Sequence, residues 1–329
     1  MILFENPSMS AAFYFAAEEY IMRVLRPDEP VLMLWSTNDT IMIGANQVAE
    51  AESDKAYAES AGIEIVRRPS GGGTIFTDKG TLQFTIVLPF EAESDHKNVV
   101  REWLIGPVIE TLAGYGVQAS AEGRNDIVID GKKISGVAQH IRDGYICSHG
   151  SLLFSTDLEK LTRSLTVDRT KIETKAIASV RARVTNISDQ INNRDFQGFR
   201  EALIDTYRKK RECVRREFDS EAIGQIETTM RKKYQSPEWT FGRSPAFTYT
   251  NKKRFPGGMI EIFLDIKGGE IRDARINGDF LSLQPVEELE IILKGVQHNE
   301  EALKEALDTI DVKAYLGSLD AAELMEVLL

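Results

Sequence analysis

Apolar positions along the chain follow two periods, one helical and one of strands. Phe13, Ala17, Ile21 and Val24 recur at helical spacing. Ser8 or Ser10 stands before them as a cap and Pro27 after them, so a first helix is expected to end near Arg26. Val31–Trp35 and Thr40–Ile43 then read as a strand pair, and Ser53–Ser60 as a short helix. Ile63–Val66, Thr74–Phe76 and Leu82–Leu88 are β-branched, apolar runs and read as strands. A longer helix is expected over His96–Leu112, stopped by Gly114 and Gly116. The segment from Gly123 to Ala138 reads as strand, Asp130-Gly131 turn and strand, a strong hairpin signal. Another strand opens at His149, and Asp157 caps a short helix.

From Phe196 to Tyr234 the pattern is helical and densely charged, read here as a solvated helix face. Ser236-Pro237 breaks it and marks a boundary. Strands follow at Ala246–Thr250, Met259–Asp265 and Ile271–Asn277, and helices at Val286–Leu293, Glu300–Thr309 and Ala321–Leu328. The expected fold class is α/β (α+β). A mixed central sheet carries helices on its faces over residues 1–242, and a smaller α+β domain occupies 243–329.

Composition narrows the function classes. The 329 residues suit about two domains on a ~150-residue prior, and 42% hydrophobic content supports a sizeable core. A net charge of −11 argues against nucleic-acid or anionic-membrane binding. Cys147 and Cys213 lie far apart, and the four histidines show no zinc spacing. A reducing, cytoplasmic setting without structural metal is expected. The first residues carry no basic segment ahead of their apolar run, which Glu18-Glu19 interrupts, so neither signal peptide nor membrane span is expected.

One stretch has no place in a purely structural pattern: Arg67-Arg68-Pro69-Ser70-Gly71-Gly72-Gly73-Thr74-Ile75-Phe76. Glycine costs about 0.5–1 kcal/mol in a regular element, so three in a row need a reason. Unhindered backbone amides beside two arginines make a phosphate or carboxylate cradle, and the bland alternative is a long hairpin turn. Lys133 is followed by the small residues Ser135-Gly136-Val137-Ala138, which leave room for a bound molecule. Alternation turns Lys132 the other way.

Together these pieces resemble the lipoate–protein ligases of two-domain type. The resemblance rests on Arg68-Pro69-Ser70-Gly71-Gly72-Gly73, Asn125-Asp126-Ile127, Gly131-Lys132-Lys133-Ile134-Ser135-Gly136, His149-Gly150-Ser151-Leu152-Leu153 and Ser179-Val180-Arg181-Ala182-Arg183-Val184-Thr185-Asn186. Leu34-Trp35, Ile43-Gly44, Arg254-Phe255 and Gly278-Asp279-Phe280 extend it over nearly the whole length. Thr77-Asp78, Gly80-Thr81 and Gly44-Ala45 depart from the family's usual His-Asp, Gly-Asn and Gly-Arg. By analogy these lie at the pocket rim and bear on substrate range and rate.

The resemblance implies ATP-dependent activation of lipoate to lipoyl-AMP, then transfer to a lysine of a carrier domain. The carriers it implies are 2-oxoacid dehydrogenase E2 subunits or the glycine cleavage H protein. Lys133 is the expected catalytic residue, bridging the acyl carboxylate and the α-phosphate. Arg68 is expected to grip phosphates with a forked pair of N–H bonds, and Ser70 to cap the loop or contact the acyl group. Gly71, Gly72, Gly73, Thr74, Ile75 and Phe76 belong to the nucleotide loop, with backbone groups from Gly73 on facing adenine and ribose. Asp126 holds either Lys133 or a magnesium ion, and Ser151 lies at the pocket strand. Trp35, Gly136 and His149 are assigned to the lipoate pocket, with a packed, hydrogen-bonded histidine the simpler reading of His149. Ser236–Gly242 is a suitable hinge for the second domain, and Lys171, Lys175, Arg181, Arg183, Lys252, Lys253 and Arg254 form a candidate basic docking patch for an acidic carrier. Two other functions compete. An octanoyl or lipoyl transferase of the same fold needs no ATP but uses a cysteine just before the Asn125 strand, where this chain has Gly123-Arg124. A non-catalytic carrier-binding protein would not need Arg68, the glycines and Lys133 together.

Overall fold

The computed structural model describes residues 1–47, 49–91, 95–123, 125–165, 182–192, 195–241, 249–267 and 269–329, the side chains of residues 50 and 51 excepted. Its strands are β1 (Ile2–Phe4), β2 (Val31–Trp35), β3 (Thr40–Ile43), β4 (Glu64–Arg67), β5 (Ile75–Thr77), β6 (Thr81–Pro89), β7 (Ser120–Glu122), β8 (Asp126–Ile129), β9 (Lys132–Arg142), β10 (Tyr145–Leu153), β11 (Val214–Arg216), β12 (Tyr249–Phe255), β13 (Gly258–Lys267) and β14 (Glu270–Gly278). Eight of them form one mixed sheet in the order β11-β1-β2-β6-β10-β9-β8-β7.

Alternation divides this sheet between two cores. Leu32, Leu34, Leu82, Phe84 and Ile86 point to one face, against the helices Gly106–Gly114 and Phe196–Lys210. Val31, Met33, Trp35, Val87 and Cys147 point to the other, against α1 (Ala11–Tyr20) and the helix Ser220–Thr229. α1 continues through a wider helical turn to Leu25. The sheet-to-helix layering is the one expected from an amphipathic sheet that must cover both faces.

The strands β3, β4 and β5 form a separate small sheet in the order β4-β3-β5. The expected pairing of Val31–Trp35 with Thr40–Ile43 therefore does not form: β2 joins β1 and β6, and β3 joins β4 and β5. Apolar runs as short as these carry no information about their partner. The charged stretch from Phe196 is also not continuous helix, because Val214–Arg216 extends and pairs in parallel with β1. Val24, which shares the helical spacing of Phe13, Ala17 and Ile21, is 54% exposed.

The hairpin of β8 and β9 turns at Asp130 and Gly131, both at positive φ (50° and 71°). Beyond Tyr249, β12, β13 and β14 form an antiparallel meander. Its inner face, Ile260, Ile262, Leu264 and Ile276, packs on helices that include Val286–Leu293 and Ala321–Leu328. This core is separate from the two of the large sheet. The helix Val312–Leu316 was not expected from the sequence.

Candidate functional site

The site lies between the large sheet, the small sheet and α1. Directly opposed residues on neighbouring strands share a face, so the register can be read across the sheet. Asp126 opposes Gly136, Gly136 opposes Ser151, Ser151 opposes Gln83 and Gln83 opposes Trp35. These five residues make one transverse row on the α1 side. The next row holds Ala138, His149, Thr85 and Met33. A pocket covers these rows, lined among others by Trp35, Gln83, Lys133, Gly136, His149 and Ser151. Gly72, Gly73, Thr74 and Ile75 form its opposite wall, with Arg68 behind them.

Lys133 stands at one end. Its Nζ is 2.7 Å from Asp126 Oδ1, which answers part of the alternative left open for that carboxylate. A Cβ on Gly136 would come within 3.1 Å of the same Nζ, so the small residue gives the ammonium its space. Lys132 lines a different, shallow cavity with Thr156, Asp157 and Asn186. The backbone of Lys133 is fixed as well: Thr185 N donates to its carbonyl at 3.1 Å. Thr185 belongs to the motif that begins at Ser179. Residues 179–181 of that motif, like Lys171, Lys175 and Arg124, lie outside the described residues.

The arginines differ from expectation. Arg67 is buried and donates to the carbonyls of Gly44, Ala45, Gln47, Trp239 and Thr240. Arg68 reaches the pocket, but its guanidinium donates to the carbonyls of Met42, Gly71 and Gly73 and to Ser70 Oγ. The free fork expected for phosphate is thus engaged by the loop itself. Burial, with Arg67 adding to it, lowers Arg68 to about 10, still cationic at neutral pH. Gly72 sits at φ +88°, which only glycine adopts at little cost.

Ser70 is fully buried and does not face the pocket. Its Oγ is 2.5 Å from His149 Nε2, and His149 Nδ1 is 3.1 Å from Glu18 Oε1. Thr85 Oγ1 donates to Glu18 at 2.9 Å, and Trp35 Nε1 donates to Thr85 at 3.1 Å. A single chain of hydrogen bonds therefore runs from Arg68 through Ser70, His149, Glu18 and Thr85 to Trp35. Burial pushes the Glu18 carboxyl up, but the attraction and hydrogen bond of His149, with His140 and Thr85, outweigh it and hold it below its ordinary value. Cys147 lies beside this pair, and burial with Glu18 as neighbour pushes its thiol well up. Glu18, Cys147 and His149 are close enough to hold a metal, yet both ring nitrogens of His149 already have partners.

Trp35 stacks on Tyr14 with ring centroids 4.4 Å apart and forms the end of the pocket away from Lys133. Phe76 is buried in the core of the small sheet, and neither it nor Gly71 lines the pocket. None of the departures from the family pattern lines the pocket. Thr77 and Thr81 are fully buried, with Thr77 bonded to Thr37 at 2.7 Å and Thr81 to Asp78 at 2.9 Å. Ala45 donates its N–H to the Ser70 carbonyl at 2.9 Å. Glu18 and Gln83 were missed from the sequence. Glu18 follows Ala11, Tyr14 and Phe15 at helical spacing, so a carboxylate inside an apolar stripe was the signal available.

The second domain closes part of the pocket. Gly72 N donates to Phe280 O at 2.9 Å, Gly278 N to Asn46 O at 2.6 Å and Ile141 N to Leu283 O at 2.9 Å. Leu281 lines the pocket. A Cβ on Gly71 would lie 2.6 Å from Phe280 O, so this approach requires glycine there. Most of the expected hinge is helical, over Pro237–Phe241, and Trp239 Nε1 donates to the Arg67 carbonyl at 2.9 Å, while residue 242 lies outside the described residues. That segment is tied to the small sheet. The basic patch is thinned by local pairing of Lys252 with Glu261, Lys253 with Glu326 and Arg254 with Asp279.

Comparison with known proteins gives consistent results. A family model described as the lipoyl protein ligase A/B catalytic domain matches residues 10–208. One described as the bacterial lipoate protein ligase C-terminus matches residues 244–328. The chain is 34% identical to lipoate-protein ligase LplJ of Bacillus subtilis, covering 100% of both. It is 32% identical to lipoate–protein ligase 1 of Staphylococcus aureus, covering 95% of each. Among solved structures, LipL1 of P. falciparum with lipoate superposes with a TM-score of 0.78 at 20% identity, covering 94% of both chains, a likeness of fold. A lipoate-protein ligase A bound with ATP matches with a TM-score of 0.63 at 27% identity, covering 73% of this chain and 98% of that one.

Proposed function

The chain belongs to the lipoate–protein ligase family, and on that premise we propose that it joins lipoate to carrier lysines through lipoyl-AMP, with Lys133 as the residue that carries the activation step. The observation behind this reading is the position of Lys133: one ammonium, held by Asp126 at 2.7 Å, at the head of a pocket walled by glycine amides.

A free carboxylate does not acylate an amine at neutral pH, because its leaving group would be oxide. Attack of the lipoate carboxylate on the α-phosphate of ATP expels pyrophosphate and replaces that leaving group by AMP. The carrier amine then attacks the acyl carbon, forming the amide and releasing AMP. The phosphorus centre gains negative charge on the way, so a fixed cation is worth most there. The Lys133 ammonium contacts the acyl carboxylate and the α-phosphate together. Backbone amides of Gly73 to Ile75 receive the nucleotide, that of Gly72 being taken by the Phe280 carbonyl. Arg68 works through the loop, holding Gly71 and Gly73 by their carbonyls so that the amides face the pocket. Gly136 and Ser151 floor the acyl channel, and Trp35 and His149 close it.

Magnesium fits this site only in company with ATP. Asp126 is a single carboxylate with one oxygen already on Lys133, and a hard cation wants six oxygens, so phosphates and water must complete the set. When bound, the ion neutralises phosphate charge, and Asp126 is the residue that would hold it.

The carriers are proposed to be E2 lipoyl domains or the glycine cleavage H protein. A related bipartite ligase from Thermoplasma acidophilum, 29% identical with a TM-score of 0.66, is described together with its E2 lipoyl domain. We propose a domain boundary at residues 242/243, outside the described residues and just before the second family match begins at residue 244. Two unpaired cysteines and the use of ATP fit a cytoplasmic site of action, and among the described residues no helix is long and apolar enough to cross a membrane. The ATP-independent transferase reading lacks support, since Cys147 is buried with its thiol pushed up and does not line the pocket.

Incubation with lipoate, ATP and magnesium should yield lipoyl-AMP, and addition of an apo lipoyl domain should yield the lipoylated domain. Transfer from an octanoylated carrier without ATP would contradict the reading.

A further inference from the structure

Gln83 presents a buried donor that the protein leaves unused. It is 4% exposed and lines the pocket, yet its Nε2 has no hydrogen-bond partner among the described residues. Two of its neighbours are occupied with each other and with Glu18: Trp35 Nε1 donates to Thr85, and Thr85 to Glu18. A bare amide N–H in a closed, largely apolar site is costly, so its partner is expected to come with the ligand.

Register gives its place along that ligand. Gly136, beside which the Lys133 ammonium lies, is opposed by Ser151, and Ser151 by Gln83. Two strand spacings of about 4.8 Å put Gln83 roughly 10 Å across the sheet from the head of the pocket. An eight-carbon acid whose carboxylate meets Lys133 therefore brings its tail, not its head, to Gln83. In lipoate that tail is a dithiolane ring, whose sulfurs accept weak hydrogen bonds. In octanoate it is bare hydrocarbon, which would expel water from the amide and offer nothing in return.

We propose that Gln83 is a specificity-determining residue that favours an acyl chain with sulfur at its far end over a plain alkyl chain of equal length. The proposal rests on the ligase reading for the direction in which the acid lies. It uses the asymmetry by which a site built around a polar group rejects the analogue lacking the matching atom.

The test measures binding of lipoate and of octanoate by calorimetry, and acyl-AMP formation from each, for the native protein and for Gln83→Leu and Gln83→Met. Met keeps the length and flexibility of the side chain, so one variant remains informative if the other does not fold. The native protein should bind lipoate more tightly than octanoate, and each folded variant should lower that ratio at least about fivefold, mainly by improving octanoate. An unchanged ratio in a folded variant overturns the proposal. A ratio that moves with Gln83 in a protein forming no acyl-AMP would uphold the selectivity and defeat the ligase reading, so the two fail separately.

Discussion

Gly72 of the glycine loop donates its backbone N–H to the Phe280 carbonyl, 2.9 Å away in the second domain. The same loop supplies a pocket wall, so the two domains meet at the glycine-loop side of the site. An acyl adenylate is easily hydrolysed, and on the proposed reading Leu281, which lines the pocket, helps to keep water from it. Transfer to a carrier lysine needs the opposite, an opening.

A protein ending at Gly242 should therefore lose lipoyl-AMP formation yet still transfer from supplied lipoyl-AMP. The cut must leave Trp239 and Thr240, whose carbonyls accept from Arg67. Full-rate adenylation by the shortened protein, read as pyrophosphate release, would remove the closure role.

Arg67→Met should destabilise the fold by at least about 3 kcal/mol, because several buried carbonyls lose a charged donor at once. Urea unfolding measures it. A change below about 1 kcal/mol would mean that those carbonyls find other partners.

His140 makes stability depend on acid. Burial lowers its pKa from 6.5 to about 3, so it stays neutral in the fold where the unfolded chain binds a proton. Stability should fall as pH drops below about 6.5, by up to about 1.4 kcal/mol per pH unit from this group, and level off near the folded value. His140→Gln should flatten that slope in unfolding curves between pH 6 and 4, and an unaltered slope would assign the effect elsewhere.

Cys147→Ser should keep most activity, since the thiol packs beside Glu18 and does not line the pocket. A folded but inactive variant would revive a cysteine mechanism.

Much of this was legible in the chain. The Asp130-Gly131 turn fixes the hairpin, but strict alternation from Gly136 would turn Lys133 away from the pocket; a register shift between β8 and β9 brings it round beside Gly136 and Asp126. The three glycines announced close backbone approach, though not that Phe280 would make it. Sequence patterns failed where a residue's partner is distant. Arg68 next to glycines reads as a phosphate grip, but the carbonyls of Met42, Gly71 and Gly73 take its donors, and nothing local reveals them. Ser70, His149 and Glu18 lie on three separate elements and meet only because the large sheet, the loop and α1 converge. The β2 and β3 runs look alike as sequence, and only the packing of the whole domain sorts them into different sheets.

The most direct measurement compares lipoyl-AMP formation by Lys133→Ala and Lys132→Ala, both checked for native secondary structure. Losing one preorganised charge contact costs about 2.7–4 kcal/mol, so Lys133→Ala should be slower by a factor of about 10²–10³, with Lys132→Ala near the native rate. Equal rates for the two variants would contradict the assignment of the activation step to Lys133.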